Sequence, residues 1–305
     1  MEIKIIEKQV LSTDGKHYLK GKLYIPNGEI KGYFQVVHGM TEHIGRYDEF
    51  LKEIAKNGYL AFAFDNLGHG LTANDKSELG FIAHKNGYKL LCEDLKVFYK
   101  TVKDEYGDKP YYLLGHSMGS FIVRVAVNNT VFPDKLIVMG TGGKNNMAGV
   151  GIALIKFLKI FKGDRHVSKF MDKMAFGAYN KKFVSEGSNR SWLTTDKSVR
   201  ERYDKDEFCN YRFGLSAMQD LITLNKIANS KKRYKTFGKT KTLLVSGNDD
   251  PVGNYGKGVT EVYNKLLKRG VPCEMKLYDG RHEILNEPSV KQAVVSDILH
   301  FMSEF

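Results

Sequence analysis

Short, almost wholly apolar segments alternate with segments of helical periodicity along this chain, and that alternation admits few architectures. The runs GYFQVV (32–37), YLAFAFD (59–65), YYLLG (111–115), KLIVMG (135–140) and KTLLVSG (241–247) have the character of strands buried on both faces of a parallel sheet. Between the first two, IGRYDEFLKEIAKNGY sets Tyr47, Phe50, Leu51 and Ile54 at helical spacing and stops at Asn57-Gly58, a helix-ending pair. Further helices are expected through GYKLLCEDLKVFYKTVKDEYG, MGSFIVRVAVNN, VTEVYNKLLKRG and SVKQAVVSDILHFM. At the front, IKIIEKQV and HYLKGKLYI flank Thr13-Asp14-Gly15, a hairpin signal. With CEMKLYD (273–279) as the eighth strand, the pattern predicts an α/β fold: a mostly parallel eight-stranded sheet with helices on both faces.

The rhythm breaks once. From Lys144 to Gly238 the chain is helix-like and has no buried-strand pattern, which predicts a helical lid of residues 144–238 inserted after the sixth strand of a core made of 1–143 and 239–305. The net charge of +12 has the same address: between Lys144 and Lys239 there are 21 basic and 9 acidic residues, and the rest of the chain is neutral. A solvated surface accounts for most such runs; attraction to an anionic substrate or to lipid headgroups, a peripheral membrane contact, is the other reading. No nucleic-acid partner is expected, because the segment holds aromatics but no binding motif. Its stretch GVGIALIKFLKIFKG (149–163) forms a helix with Lys156, Lys159 and Lys162 along one side and Ile152, Leu154, Ile155, Leu158 and Phe161 largely elsewhere. The apolar side either faces an acyl pocket or packs on neighbouring lid helices. MEIKIIEKQV has no uncharged apolar stretch of the secretory kind, and MAGVGIALI (147–155) is far short of the roughly 20 residues that span a bilayer, so a soluble, cytoplasmic protein is expected. Cys92, Cys209 and Cys273 are distant and in no CxxC pair, which disfavours a disulfide framework and a zinc site alike.

Gly115-His116-Ser117-Met118-Gly119 fits G-x-S-x-G where that pattern has mechanical meaning, between an apolar strand and a helix. A sharp strand-to-helix turn would present the Ser117 Oγ above the sheet edge, and side chains at the flanking positions would collide. An ordinary helix-capping serine needs neither glycine. A serine hydroxyl is a weak nucleophile, so it requires a base and a carboxylate that orients the base. In this kind of sheet they follow the serine in the order Asp or Glu, then His. TLLVSG runs into Asn248-Asp249-Asp250-Pro251, and the proline holds Asp250 in extended backbone. Asp250 is therefore the expected carboxylate, with Asp249 as the competing assignment. Two histidines come later. His300 lies within an amphipathic helix, whereas His282 follows the last strand and the Asp279-Gly280 turn on the sheet's carboxyl edge, making it the expected base. Asp279 more simply forms the turn. The oxyanion donors are expected to be the backbone N–H groups of Met40, in VVHGMTEHIGRY, and Met118, with Gly39 allowing close approach. His38, His43 and His69 read as loop-shaping residues.

With VVHGMTEHIGRY, FDNLGHG, GHSMG, SGNDDPVG and DGRHEILNE in that order, the chain resembles the α/β-hydrolase family. Within it, the resemblance is to the branch of monoacylglycerol lipases and lysophospholipases that is also catalogued with serine aminopeptidases. It covers nearly the whole chain outside the insertion. It implies an α/β-hydrolase fold, a triad of Ser117, Asp250 and His282, an oxyanion hole from Met40 and Met118, and a small-molecule ester or lipid substrate cleaved through an acyl-enzyme. Neither step of that chemistry calls on a metal or an organic cofactor. Leu67 departs from the branch, standing where many relatives have the arginine of D-x-R-G-H-G. An aminopeptidase-type enzyme, a carbon–carbon bond hydrolase or a non-catalytic binding module would share the same frame. GTGG before Lys144 lacks the third glycine of a dinucleotide loop, and Arg233 stands where a phosphate loop ending in Gly238-Lys239-Thr240 requires its first, so neither nucleotide site is expected.

Overall fold

In the computed structural model, which describes residues 3–304, the chain opens with the hairpin β1 (Lys4–Leu11) and β2 (Tyr18–Ile25), Leu11 lying opposite Tyr18. Asp14 makes the turn by accepting the N–H groups of Lys16 and His17, and Gly15 follows it with φ 72°. The alternation then proceeds through β3 (Tyr33–Val37), α1 (Asp48–Lys56), β4 (Leu60–Phe64), α2 (Gly87–Tyr106), β5 (Tyr111–His116), α3 (Met118–Ala126) and β6 (Lys135–Met139). Five helices come next: α4 (Ala148–Lys162), α5 (Lys169–Phe176), α6 (Lys197–Lys205), α7 (Leu215–Ala228) and α8 (Lys231–Lys235). The sheet resumes with β7 (Lys241–Gly247), α9 (Lys257–Leu267), β8 (Cys273–Tyr278) and α10 (Lys291–Ser303).

The eight strands lie in the order β1-β2-β4-β3-β5-β6-β7-β8, parallel from β4 to β8. Every residue of β3, β4, β5 and β6 is buried, as such almost wholly apolar runs require. Strand alternation divides those residues between two cores. Leu60, Phe62 and Phe64 join α2, α3 and α9 through Phe98, Ile122 and Val262, while Ala61 and Ala63 join α1 and α10 through Leu51, Ile54 and Ile298. Each large side chain so buried contributes about 1.5–3 kcal/mol, and the two-sided packing fixes the level at which the strands end.

Two departures from the sequence reading have local causes. The helix expected through Asn129 stops at Ala126, because Val127 bridges Val131 and Asn128 turns left-handed with φ 54°. In α4 the apolar residues occupy two faces: Ile155 is buried in the core cluster, whereas Phe157, Ile160 and Phe161 are exposed. Arg124, fully buried on α3, has no carboxylate partner among the described residues. Its guanidinium donates instead to Thr141 Oγ1, Asn229 Oδ1 and Ala228 O at the end of α7, a helix terminus that carries partial negative charge. No helix among the described residues is long and apolar enough to cross a membrane. Cys92 and Cys209 are buried and Cys273 half-buried, and all three are free.

Candidate active site

Ser117 joins β5 to α3 with φ 54° and ψ −118°, a conformation costly for any residue but glycine. Its surroundings explain the neighbouring glycines. A Cβ on Gly115 would lie 2.4 Å from Gly119 O, and one on Gly119 would lie 2.1 Å from Val37 O. Helix and strand ends therefore meet at backbone distance, with Ser117 N–H donating to Met139 O at the end of β6 (3.0 Å). The loop after β3 comes equally close, since a Cβ on Gly39 would be 2.9 Å from Ser117 Cβ. Met118 begins α3, so its N–H is one of those a helix cannot satisfy internally.

Beyond β7, Asp250 is wholly buried. Its Oδ1 accepts Val252 N–H at 2.8 Å, and its Oδ2 lies 2.9 Å from His282 Nδ1. A carboxylate there accepts a hydrogen bond from Nδ1–H, which keeps the proton on Nδ1 and leaves Nε2 as the acceptor. Met40, Ser117, Met118 and His282 line one cavity of about 1500 Å³, whose wall also includes Phe121, Met171, Phe176 and Leu221. Among the described residues no hydrogen bond joins Ser117 Oγ to His282, a contact of the kind that tightens when substrate binds. Asp249 points elsewhere, paired with Lys182 on the surface. His300 is exposed and faces Glu304.

The other histidines are held by loops. His38 donates from Nδ1 to Gly39 O and accepts Asn66 N–H on Nε2, and burial lowers its pKa. Burial likewise pushes His69 down to about 3. His43 accepts Gly45 N–H on Nδ1, so its proton is on Nε2 and donates to Asp206 Oδ2 at 2.9 Å. Cys209 lies beside this pair, but that tautomer belongs to a hydrogen bond and not to a metal ligand.

No role was expected from the sequence for Glu42, Arg46, His116 or Glu283, which form a largely buried charged network on the wall of the same cavity as the serine. Arg46 holds Glu283 through two bonds of 2.7 Å and Glu42 through one of 2.9 Å. His116 Nδ1 lies 3.2 Å from Glu42 and 2.8 Å from the Tyr47 hydroxyl, while its Nε2 faces His282 O at 3.3 Å. Burial favours neutral groups, yet the His116 hydrogen bond and charge hold Glu42 well below the usual carboxylate range, and Glu42 in turn raises His116. Both His116 nitrogens face oxygen acceptors, the arrangement that suits an imidazolium beside a carboxylate. These residues were visible in HGMTEHIGRY, GHSMG and RHEILNE; their pairing was not.

This network sets a pH signature. A histidine raised on folding stabilises fully below its unfolded value of about 6.5 and loses that contribution as pH rises through the folded value. The depressed Glu42 acts at the opposite end, losing its contribution as pH falls toward its own folded value. From about pH 6 to 9 the thermal midpoint is expected to fall more steeply in the wild type than in Glu42→Gln. Identical slopes would mean that His116 is uncharged.

An eight-stranded, mostly parallel sheet with a strained serine elbow at its carboxyl edge defines an α/β-hydrolase. The sequence profile of the serine aminopeptidase, S33, family matches residues 28–289, and the chain belongs to that family. Within it the chain is 30% identical to the monoglyceride lipase of Homo sapiens over 298 residues, covering 97% of this chain and 89% of that protein. It is 24% identical to the Mus musculus monoglyceride lipase over 297 residues, covering 96% and 89%. The crystal structure of a thermostable carboxyl esterase from Bacillus coagulans, in complex with glycerol, superposes with a TM-score of 0.92 at 27% identity, covering 99% of this chain and 98% of that one.

Proposed function

We propose that the protein is a serine hydrolase that cleaves carboxylic esters through an acyl-enzyme, with monoacylglycerol- or lysophospholipid-type lipid esters as its substrates. The observation that carries this reading is the buried Asp250–His282 bond opening onto the same cavity as Ser117. In the proposed mechanism His282 Nε2 takes the Ser117 proton as Oγ attacks the ester carbonyl. The N–H groups of Met40 and Met118 receive the oxyanion. His282 then gives its proton to the leaving alcohol, and a water activated by the same imidazole releases the acid. The methionine and phenylalanine wall suits an acyl chain, and the relatives named above are monoglyceride lipases and a carboxyl esterase. Turnover measured in parallel on esters of increasing acyl length, a monoacylglycerol, a lysophospholipid and an aminoacyl amide tests it. Lipid esters are expected to lead. Faster cleavage of the amide would give the site to a peptidase.

Residues 144–238 are assigned the role of a cap over this cavity. Val150, Phe157, Ile160, Phe161, Phe170 and Val184 of that segment are exposed among lysines such as Lys156, Lys162 and Lys169, a surface suited to an anionic lipid interface. Binding to vesicles containing phosphatidylglycerol should weaken as salt is raised and weaken further in Phe161→Asp. Binding indifferent to salt and to lipid charge would remove this role.

A further inference from the structure

We propose that Tyr203, carried by the helical insertion, is a positioning residue for the oxyanion donor Met40, so that the insertion completes the catalytic site as well as covering it. The proposal rests on the serine-hydrolase reading above and adds a residue that lies in none of the motifs.

The Met40 N–H lies between two restrained points of the loop. On one side, Gly39 N–H donates to Glu42 Oε1. On the other, Thr41 has φ 49°, a left-handed conformation that a β-branched residue adopts only when its surroundings enforce it. The enforcing group is Tyr203. Its hydroxyl donates to Thr41 O at 2.8 Å and lies 2.8 Å from Thr41 Oγ1. A phenol has a single proton, and with that proton on the carbonyl, Thr41 Oγ1 must donate to the phenol oxygen. Backbone and side chain of Thr41 are thus both tied to one buried atom.

The tyrosine is itself fixed. It is buried on α6, and Arg46 and Arg190 each place a guanidinium carbon 4.9 Å from its ring centre, contacts that do not involve the hydroxyl. Burial raises its pKa and keeps it a donor. The turn after α6 grips the same loop again, where Asp206 accepts from His43 and Phe208 packs edge-on against the His43 ring. Withdrawal of α6 would free Thr41 to leave its left-handed conformation, taking the neighbouring Met40 peptide with it. Opening of the insertion and disarming of the oxyanion hole would then be one event.

The test compares wild type, Tyr203→Phe and Thr41→Val on a short, water-soluble p-nitrophenyl ester, with Ser117→Ala as control. It measures kcat, KM, thermal midpoint and inhibition by a boronic acid whose tetrahedral serine adduct sets an oxygen where the ester oxyanion forms. Tyr203→Phe retains the ring and its cation contacts. Its kcat is expected to fall about 10- to 100-fold, as for a displaced oxyanion donor. Boronate affinity should fall in proportion, with KM held within about 2-fold. Thr41→Val keeps the carbonyl bond and the β-branched shape, and should lose less. Unchanged kcat and boronate affinity in Tyr203→Phe would overturn the proposal, as would a loss confined to KM or to thermal midpoint. Failure of the underlying reading would show separately, as a wild type without esterase activity or a Ser117→Ala protein as active as wild type.

Discussion

Ser117→Ala is expected to lower ester turnover by about 10⁴- to 10⁶-fold, the range found when the nucleophile of a serine–histidine–aspartate unit is deleted. Turnover would not fall to the uncatalysed rate, because the proposed oxyanion donors and the cavity remain. The substitution isolates chemistry from folding. The strain at φ 54° belongs to the backbone and is the same for serine and alanine. No hydrogen bond among the described residues joins the Oγ to His282, so the alanine protein should retain the wild-type thermal midpoint. Measured kcat on a soluble ester, with melting curves of both proteins, checks the prediction. Turnover within 10-fold of wild type in pure protein would relocate the nucleophile.

Asp250→Asn should cost about 10⁴-fold in kcat, and the structure gives the reason in terms of protons. The side-chain carbonyl of the new amide can keep the Val252 N–H bond that Asp250 Oδ1 now accepts, which turns the amide NH₂ toward His282 Nδ1. Two donors cannot face each other, so the imidazole must accept on Nδ1 and carry its proton on Nε2. In that tautomer it has no lone pair for the Ser117 proton. Asp249→Asn is the matched control. It removes only a surface pair with Lys182, of a kind worth about 0–1 kcal/mol, and should change kcat by less than about 2-fold. A reversed ranking of these two variants would move the carboxylate role to Asp249.

The sequence exposed those features that depend on neighbours along the chain. Almost wholly apolar runs marked β3 to β7, and the glycines at 115 and 119 marked a place where a Cβ cannot fit, which the 2.1 Å approach to Val37 O makes concrete. Asp250 and His282 were chosen by chain order and turn chemistry, and the structure brings them within 2.9 Å. Contacts between distant segments left no such mark. Arg46 and Glu283 lie 237 residues apart, and Glu42 and His116 lie 74 apart; each reads alone as an ordinary charged loop residue. Tyr203 sits in a highly charged helix, KSVRERYDK, whose periodicity says nothing of the loop it grips. In α4, apolar residues on two faces hid which side would pack, and Phe161, expected on the inner side, is exposed.

The most direct measurement is peptide mapping by mass spectrometry after a fluorophosphonate has inhibited the enzyme, since this reagent forms a stable adduct with a hydroxyl activated as proposed for Ser117. One adduct per chain is expected, on the peptide containing GHSMG and at Ser117, with loss of esterase activity proportional to labelling. An adduct at another residue, or full inhibition with Ser117 unmodified, would contradict it.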